Sequence, residues 1–94
     1  MDVDGIGGAD FQVSGALIAR AGRFVWIIEP DERGVSLFQF GPNGFVGDTW
    51  HPNTEEAQGQ AAHAMGSIVG PWRAIPRDVS DVQAYGIAQA RGVK

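Results

Sequence analysis

Apolar and polar residues alternate from Phe11 onward. Phe11, Val13, Gly15, Leu17 and Ala19 take one side, and Gln12, Ser14, Ala16, Ile18 and Arg20 the other. A period of two predicts a half-buried strand. Ala21-Gly22 then breaks the run, with glycine able to supply the positive φ of a short hairpin. The next run, Phe24-Val25-Trp26-Ile27-Ile28, is apolar on both sides, and Glu29-Pro30-Asp31-Glu32-Arg33-Gly34 closes it. Proline early and glycine last predict a type I turn followed by a left-handed residue. Val35 to Phe40 is a third strand, Gly41-Pro42-Asn43-Gly44 a turn, and Phe45 to Trp50 a short fourth strand.

The pattern then changes period. Asn53 is placed to cap a helix, with Glu56 three residues on and Glu55 and Glu56 in the first turn. Ala57, Ala61, Ala64 and Met65 form a stripe of mostly small residues, and Gly66 ends it. Ser67 to Ile75 reads as an extended segment whose Pro71 favours a sheet edge. Ser80 and Gln83 form a second capping pair, opening a helix from Val82 to Gly92 that Gly86 weakens by ~1 kcal/mol relative to alanine. The expected fold is α+β, an antiparallel meander of three to four strands with two helices on one face, in the order β-β-β-(β)-α-β-α. Residues 1–10, with three aspartates and three glycines, are expected to be a mobile lead-in, and 11–94 a single domain.

That arrangement has a consequence for partners. The strands at 24–28 and 35–40 carry apolar residues on both faces, and two helices on one face leave the other bare. Apolar patches of this size are rarely left exposed on a monomer. A symmetric homodimer through the open sheet face is therefore expected.

Composition narrows the function classes. The chain has 94 residues and a formal charge of −4, with six arginines scattered and unclustered. No basic stripe is present to neutralise phosphates, so no nucleic-acid partner is expected. There is no cysteine, which excludes disulfides, thiol catalysis and thiolate metal sites. The first ten residues lack the basic-then-apolar pattern of a signal peptide, and no apolar run approaches the ~20 residues of a membrane span. A cytoplasmic protein without a membrane partner is the expectation.

Candidate chemistry gathers at Gly47-Asp48-Thr49-Trp50-His51-Pro52, where a strand end feeds a helix N-terminus. Asp48 and His51 are an acid–base pair in composition, with Thr49 or Ser67 as a nucleophile, yet no nucleophile elbow is present. As turn residues they would simply tie down the loop. His51 and His63, the only histidines, lie twelve residues apart; Glu56, Gln60 and His63 share a helix face that reads as solvated. Gly5-Ile6-Gly7-Gly8 lacks the preceding strand a dinucleotide site needs. No metal or cofactor is expected. Trp50 and Trp72 end extended segments beside proline or histidine, and Trp72 adjoins Arg73. Tryptophan and arginine are enriched at binding hot spots, although a small core also needs large aromatic residues.

Gly47-Asp48-Thr49-Trp50-His51-Pro52, then Glu55-Glu56-Ala57 and Gln60-Ala61, with Trp72 and Pro76-Arg77-Asp78-Val79 downstream, resembles a group of small uncharacterised bacterial proteins. That likeness covers about half the chain and implies no activity. A weaker one is to HicB-type antitoxins, which share a β-β-β-α-β-α order and a Gly-Asp-Thr before Glu-Glu-Ala. Here Trp50-His51-Pro52-Asn53-Thr54 intervenes between the two. The combined expectation is a small non-catalytic protein-interaction module, antitoxin- or immunity-like. Asp48, Trp50, His51, Trp72 and Arg73 are its candidate binding residues. The alternative is a small-ligand binder or hydrolase-type enzyme with a pocket between the 48–52 loop and the first helix.

Overall fold

A computed structural model describes residues 15–67, 69–76 and 78–92. The expected lead-in at 1–10 and the first half of the alternating strand lie outside the described residues. Within them the order is β1 (Leu17–Ala21), β2 (Phe24–Pro30), β3 (Val35–Gly41), β4 (Gly44–His51), α1 (Thr54–Met65), β5 (Arg73–Ala74) and α2 (Val82–Gly92). The strands form one antiparallel sheet ordered β4-β3-β2-β1-β5. The fold is α+β, as the change of period from two to 3.6 predicts.

Local chemistry sets the elements. Gly22, at φ 61°, turns β1 into β2 so that Ala21 pairs with Phe24. The next turn is built differently from expectation. The Asp31 carboxylate accepts from the backbone N–H of Arg33 and of Gly34, both at 2.8 Å, an Asx-type closure of the loop. Gly34 is not left-handed; it is glycine because a methyl group there would lie 2.6 Å from Trp50 Cζ2. α1 starts as its sequence predicts, with the Asn53 side chain accepting from Glu56 N–H at 2.9 Å, and it ends on Gly66 at φ 71°. α2 is capped one residue later than the Ser80–Gln83 pair implies: Asp81 Oδ1 accepts from Ala84 N–H at 3.0 Å. The Arg20 guanidinium donates to the Gln89 carbonyl in the last turn of α2, where the orphan carbonyls and the dipole favour a cation.

The two helices lie on opposite faces of the sheet, which corrects the one-face arrangement. Ala57 and Ala61 of α1, with Met65 partly buried beside them, pack on Ala19, Trp26, Ile28, Val35 and Leu37. Ala90 of α2, with Val82, Tyr85 and Ile87, packs on Ile18, Val25, Ile27, Phe38 and Phe40. Alternation along β2 therefore feeds two half-cores, and Val25, Ile27 and Ile28 are all but inaccessible to solvent. The small-residue stripes show that each helix has one buried side, but not which face of the sheet receives it. β5 resolves the choice. By pairing at the far edge, beyond β1, it carries the chain around the sheet between the helices. The open sheet face expected to seat a second copy is thus occupied by the chain's own helix.

Candidate functional site

β4 is the outermost strand, and its position decides what the candidate residues can do. It pairs with β3 from His51↔Val35 to Gly44↔Gly41, with a bulge at Val46 between Gln39 and Phe40. Among the described residues no strand pairs with its other edge, so its backbone donors and acceptors there have no ladder partner among them. Phe45, Val46 and Trp50 are each 53% exposed, and they are the exposed large hydrophobics among the described residues. All three lie on this strand. Position in the meander was the available signal for Phe45 and Val46: a strand followed by a helix instead of a further hairpin becomes an edge.

Alternation separates Asp48 from His51. Asp48 stands opposite Phe38 of the α2-side core, and His51 opposite Val35 of the α1-side core, so their side chains leave opposite faces. β4 does not assemble them into an acid–base pair. The partner of His51 is Thr49, two residues back on the same face, with Thr49 Oγ1 and His51 Nε2 2.7 Å apart. That hydrogen bond joins a hydroxyl to an imidazole but lacks the orienting acid of a triad, because Asp48 points the other way. His51 also borders a shallow groove with Glu55, Glu56 and Gln60. Among the described residues, no three His, Cys, Asp or Glu side chains stand together as metal ligands.

Trp50 reaches the turn between β2 and β3. With Asp31, Glu32 and Arg33 it lines an open hollow. The Arg33 and Gly34 backbone N–H groups hold the Asp31 carboxyl below its ordinary value of 3.8. Desolvation opposes them, while the Trp50 indole and the Arg33 charge add to the lowering. Asp31 is therefore an anion committed to its own turn, with an aromatic ring beside it. Glu32 and Arg33 line this hollow, and Glu55 and Glu56 line the groove beside His51, so acids border this end of β4 at both concavities.

Trp72 and Arg73 belong elsewhere. Trp72 is half-buried against the α1-side core, and Arg73 pairs with Ile18 at the β5 edge. Four strand spacings, about 19 Å, separate that edge from β4. The five candidate residues thus form two groups at opposite edges, and Trp72 serves packing.

A third concavity lies between α1 and the β3–β4 ladder. It has a volume of about 280 Å³, with Trp26, Leu37, Gln39, Thr49, Gln60 and Ala64 among its lining. Trp26 is 4% exposed, and its indole N–H has no hydrogen-bond partner among the described residues. An unpaired buried donor costs about 1–3 kcal/mol, so its presence here calls for an explanation. Nothing in the sequence pattern distinguishes this Trp from an ordinary core residue.

No helix among the described residues is long and apolar enough to cross a membrane. Compared with protein families, curated proteins and solved structures, the chain matches none of them.

Proposed function

We propose that this chain is a non-catalytic interaction module that takes an extended, basic segment of a partner protein along the open edge of β4. The observation that carries the reading is the coincidence of Phe45, Val46 and Trp50, all exposed, on one strand whose outer edge has no partner strand among the described residues. Strand addition draws affinity from main-chain hydrogen bonds and specificity from alternate side chains. The acids around the His51 end favour lysine or arginine there, and the Phe45–Val46 end favours an apolar residue. An antitoxin- or immunity-like task in the cytoplasm, restraining a basic partner, belongs to this reading.

A second copy of the chain suits the edge less well. A two-fold pairing of β4 with itself centred on Asp48 sets the two Asp48 carboxylates against each other, and the Val46 bulge interrupts the ladder. The self-association expected from an open sheet face has lost that face and would have to use this edge.

The test is an NMR titration with a peptide of alternating Val and Lys, and with its Val-Glu counterpart. The expected result is saturable shifts confined to the amides of residues 44–51 and their neighbours, for the basic peptide only and weakening with salt. Shifts of equal size with both peptides, or shifts away from β4, would overturn the proposal. The charge test falls on Glu32→Gln and Glu55→Gln; Asp31 is unsuitable because its carboxylate holds the turn. Native mass spectrometry of the free chain should give the monomer mass, and a dimer mass would favour self-association instead.

A further inference from the structure

We infer that the hollow formed by Trp50 and the β2–β3 turn is an arginine subsite, which lays the guanidinium of a partner's arginine on the indole and pairs it with Glu32. The inference rests on the strand-addition reading and names the residue that the acidic end of β4 takes. Asp31, Glu32, Arg33 and Trp50 line the hollow. Two carboxylates against one guanidinium leave this lining with one negative charge in excess, which a single cation balances. Asp31 Oδ1 already accepts from the Arg33 and Gly34 backbone N–H groups, so Glu32 is the carboxylate left to pair with a guest. Trp50 supplies the surface. The Cζ2–Cε2 side of its ring lies against position 34, yet the residue is 53% exposed. A ring fixed in this way needs little further ordering on binding.

The shape of the surface selects among cations. A guanidinium is planar and weakly hydrated, and it can lie flat on one ring while its N–H edge reaches a carboxylate at the rim. An ammonium is compact and strongly hydrated, and a single ring replaces little of the hydration it gives up. Among the described residues Trp50 is the one aromatic side chain in the lining, so the hollow is a stacking surface and not a cage. Arg33, the cation already there, opposes the guest. Register extends the preference. Trp50 stands opposite Ser36 and Asp48 opposite Phe38, so both side chains leave the same face of β4. On an added strand, the residue two positions from the arginine meets Asp48, which favours a second basic residue there.

The experiment follows the Trp50 indole N–H and the amides of residues 44–51 in ¹H–¹⁵N correlation spectra of the full chain. Ethylguanidinium, with ethylammonium as control, probes the hollow alone. Peptides of alternating Val and Arg, or of Val and Lys, probe it together with the edge. Ethylguanidinium should move the Trp50 indole resonance saturably, and ethylammonium should not. The arginine peptide should bind about two- to fivefold tighter than the lysine peptide, the worth of a cation–π contact at an exposed site. Trp50→Leu should erase that preference and leave lysine-peptide binding in place. Glu32→Gln should weaken ethylguanidinium and Arg33→Gln should tighten it, each about twofold. The subsite is overturned, whatever the edge does, by any of four results: no indole shift with ethylguanidinium, an equal shift with ethylammonium, unchanged ethylguanidinium binding in both charge variants, or an arginine preference that survives Trp50→Leu. Ethylguanidinium binding at Trp50 with no peptide shifts at 44–51 would overturn strand addition alone.

Discussion

Gly34 and Trp50 share a contact that leaves no room for a side chain: a methyl group at position 34 would lie 2.6 Å from Trp50 Cζ2. The His51 carbonyl crowds the same point from the backbone. This contact joins the β2–β3 turn to the end of the edge strand and holds the Trp50 ring over Asp31. Gly34→Ala should therefore displace the indole and cost about 1–3 kcal/mol, as overpacking does. Chemical denaturation checks the cost, and Trp50→Ala in the same background should restore only part of it because the carbonyl remains. A Gly34→Ala chain as stable as the parent would mean that the ring does not rest there.

Gly86 presents a conflict between local and tertiary preference. Alanine at an exposed helix interior gains ~1 kcal/mol over glycine. At position 86 its methyl group would stand 2.7 Å from Ile27 Cδ1 and from Phe40 Cδ2, and both residues are fully buried. Neither can give way without disturbing the α2-side core, so packing should outweigh propensity. Gly86→Ala is expected to destabilise by about 1–2 kcal/mol net. A urea midpoint that rises instead would place α2 farther from the sheet.

These two glycines show where the sequence was legible and where it was not. Strand and helix types follow from period alone, and Asn53, Glu56 and Gly66 mark α1 because capping is local chemistry. Gly34 and Gly86 look like a turn residue and a helix defect. Their reasons are contacts made from sixteen and forty-six residues away, by Trp50 and Phe40. The side of the sheet that each helix takes is equally non-local, being decided by β5 pairing beyond β1. For the candidate site, alternation alone separates Asp48 from His51, so that much was readable. The split between Trp50 and Trp72 needed the strand order.

Gly59 offers the opposite case to Gly86. It lies on the exposed side of α1, with nothing within 4 Å of where a methyl group would stand. Only propensity acts there, so Gly59→Ala should stabilise by about 0.5–1 kcal/mol. Thermal melting of the two alanine variants beside the parent should give shifts of opposite sign. Shifts of the same sign would contradict the placement of one of the helices.

Asp31 sets the acid response of the β2–β3 turn. Its carboxyl is held below 3.8 chiefly by the backbone N–H groups of Arg33 and Gly34, which prefer the charged form. A group whose folded value is depressed stabilises the fold above its unfolded value, and that contribution fades as pH falls through the folded one. Asp31→Asn keeps one acceptor oxygen but cannot carry the charge. The parent should melt higher than the variant at neutral pH, and the gap should persist down to about pH 4. Below 3.8 it should narrow as the parent protonates. Because Trp50 adds to the lowering, Trp50→Phe should make the gap smaller and bring its narrowing to an end at a higher pH, while the onset, set by the unfolded carboxyl, stays where it is. A gap that stays constant through the acid range would show that the anion contributes nothing, and that the turn is held by geometry alone.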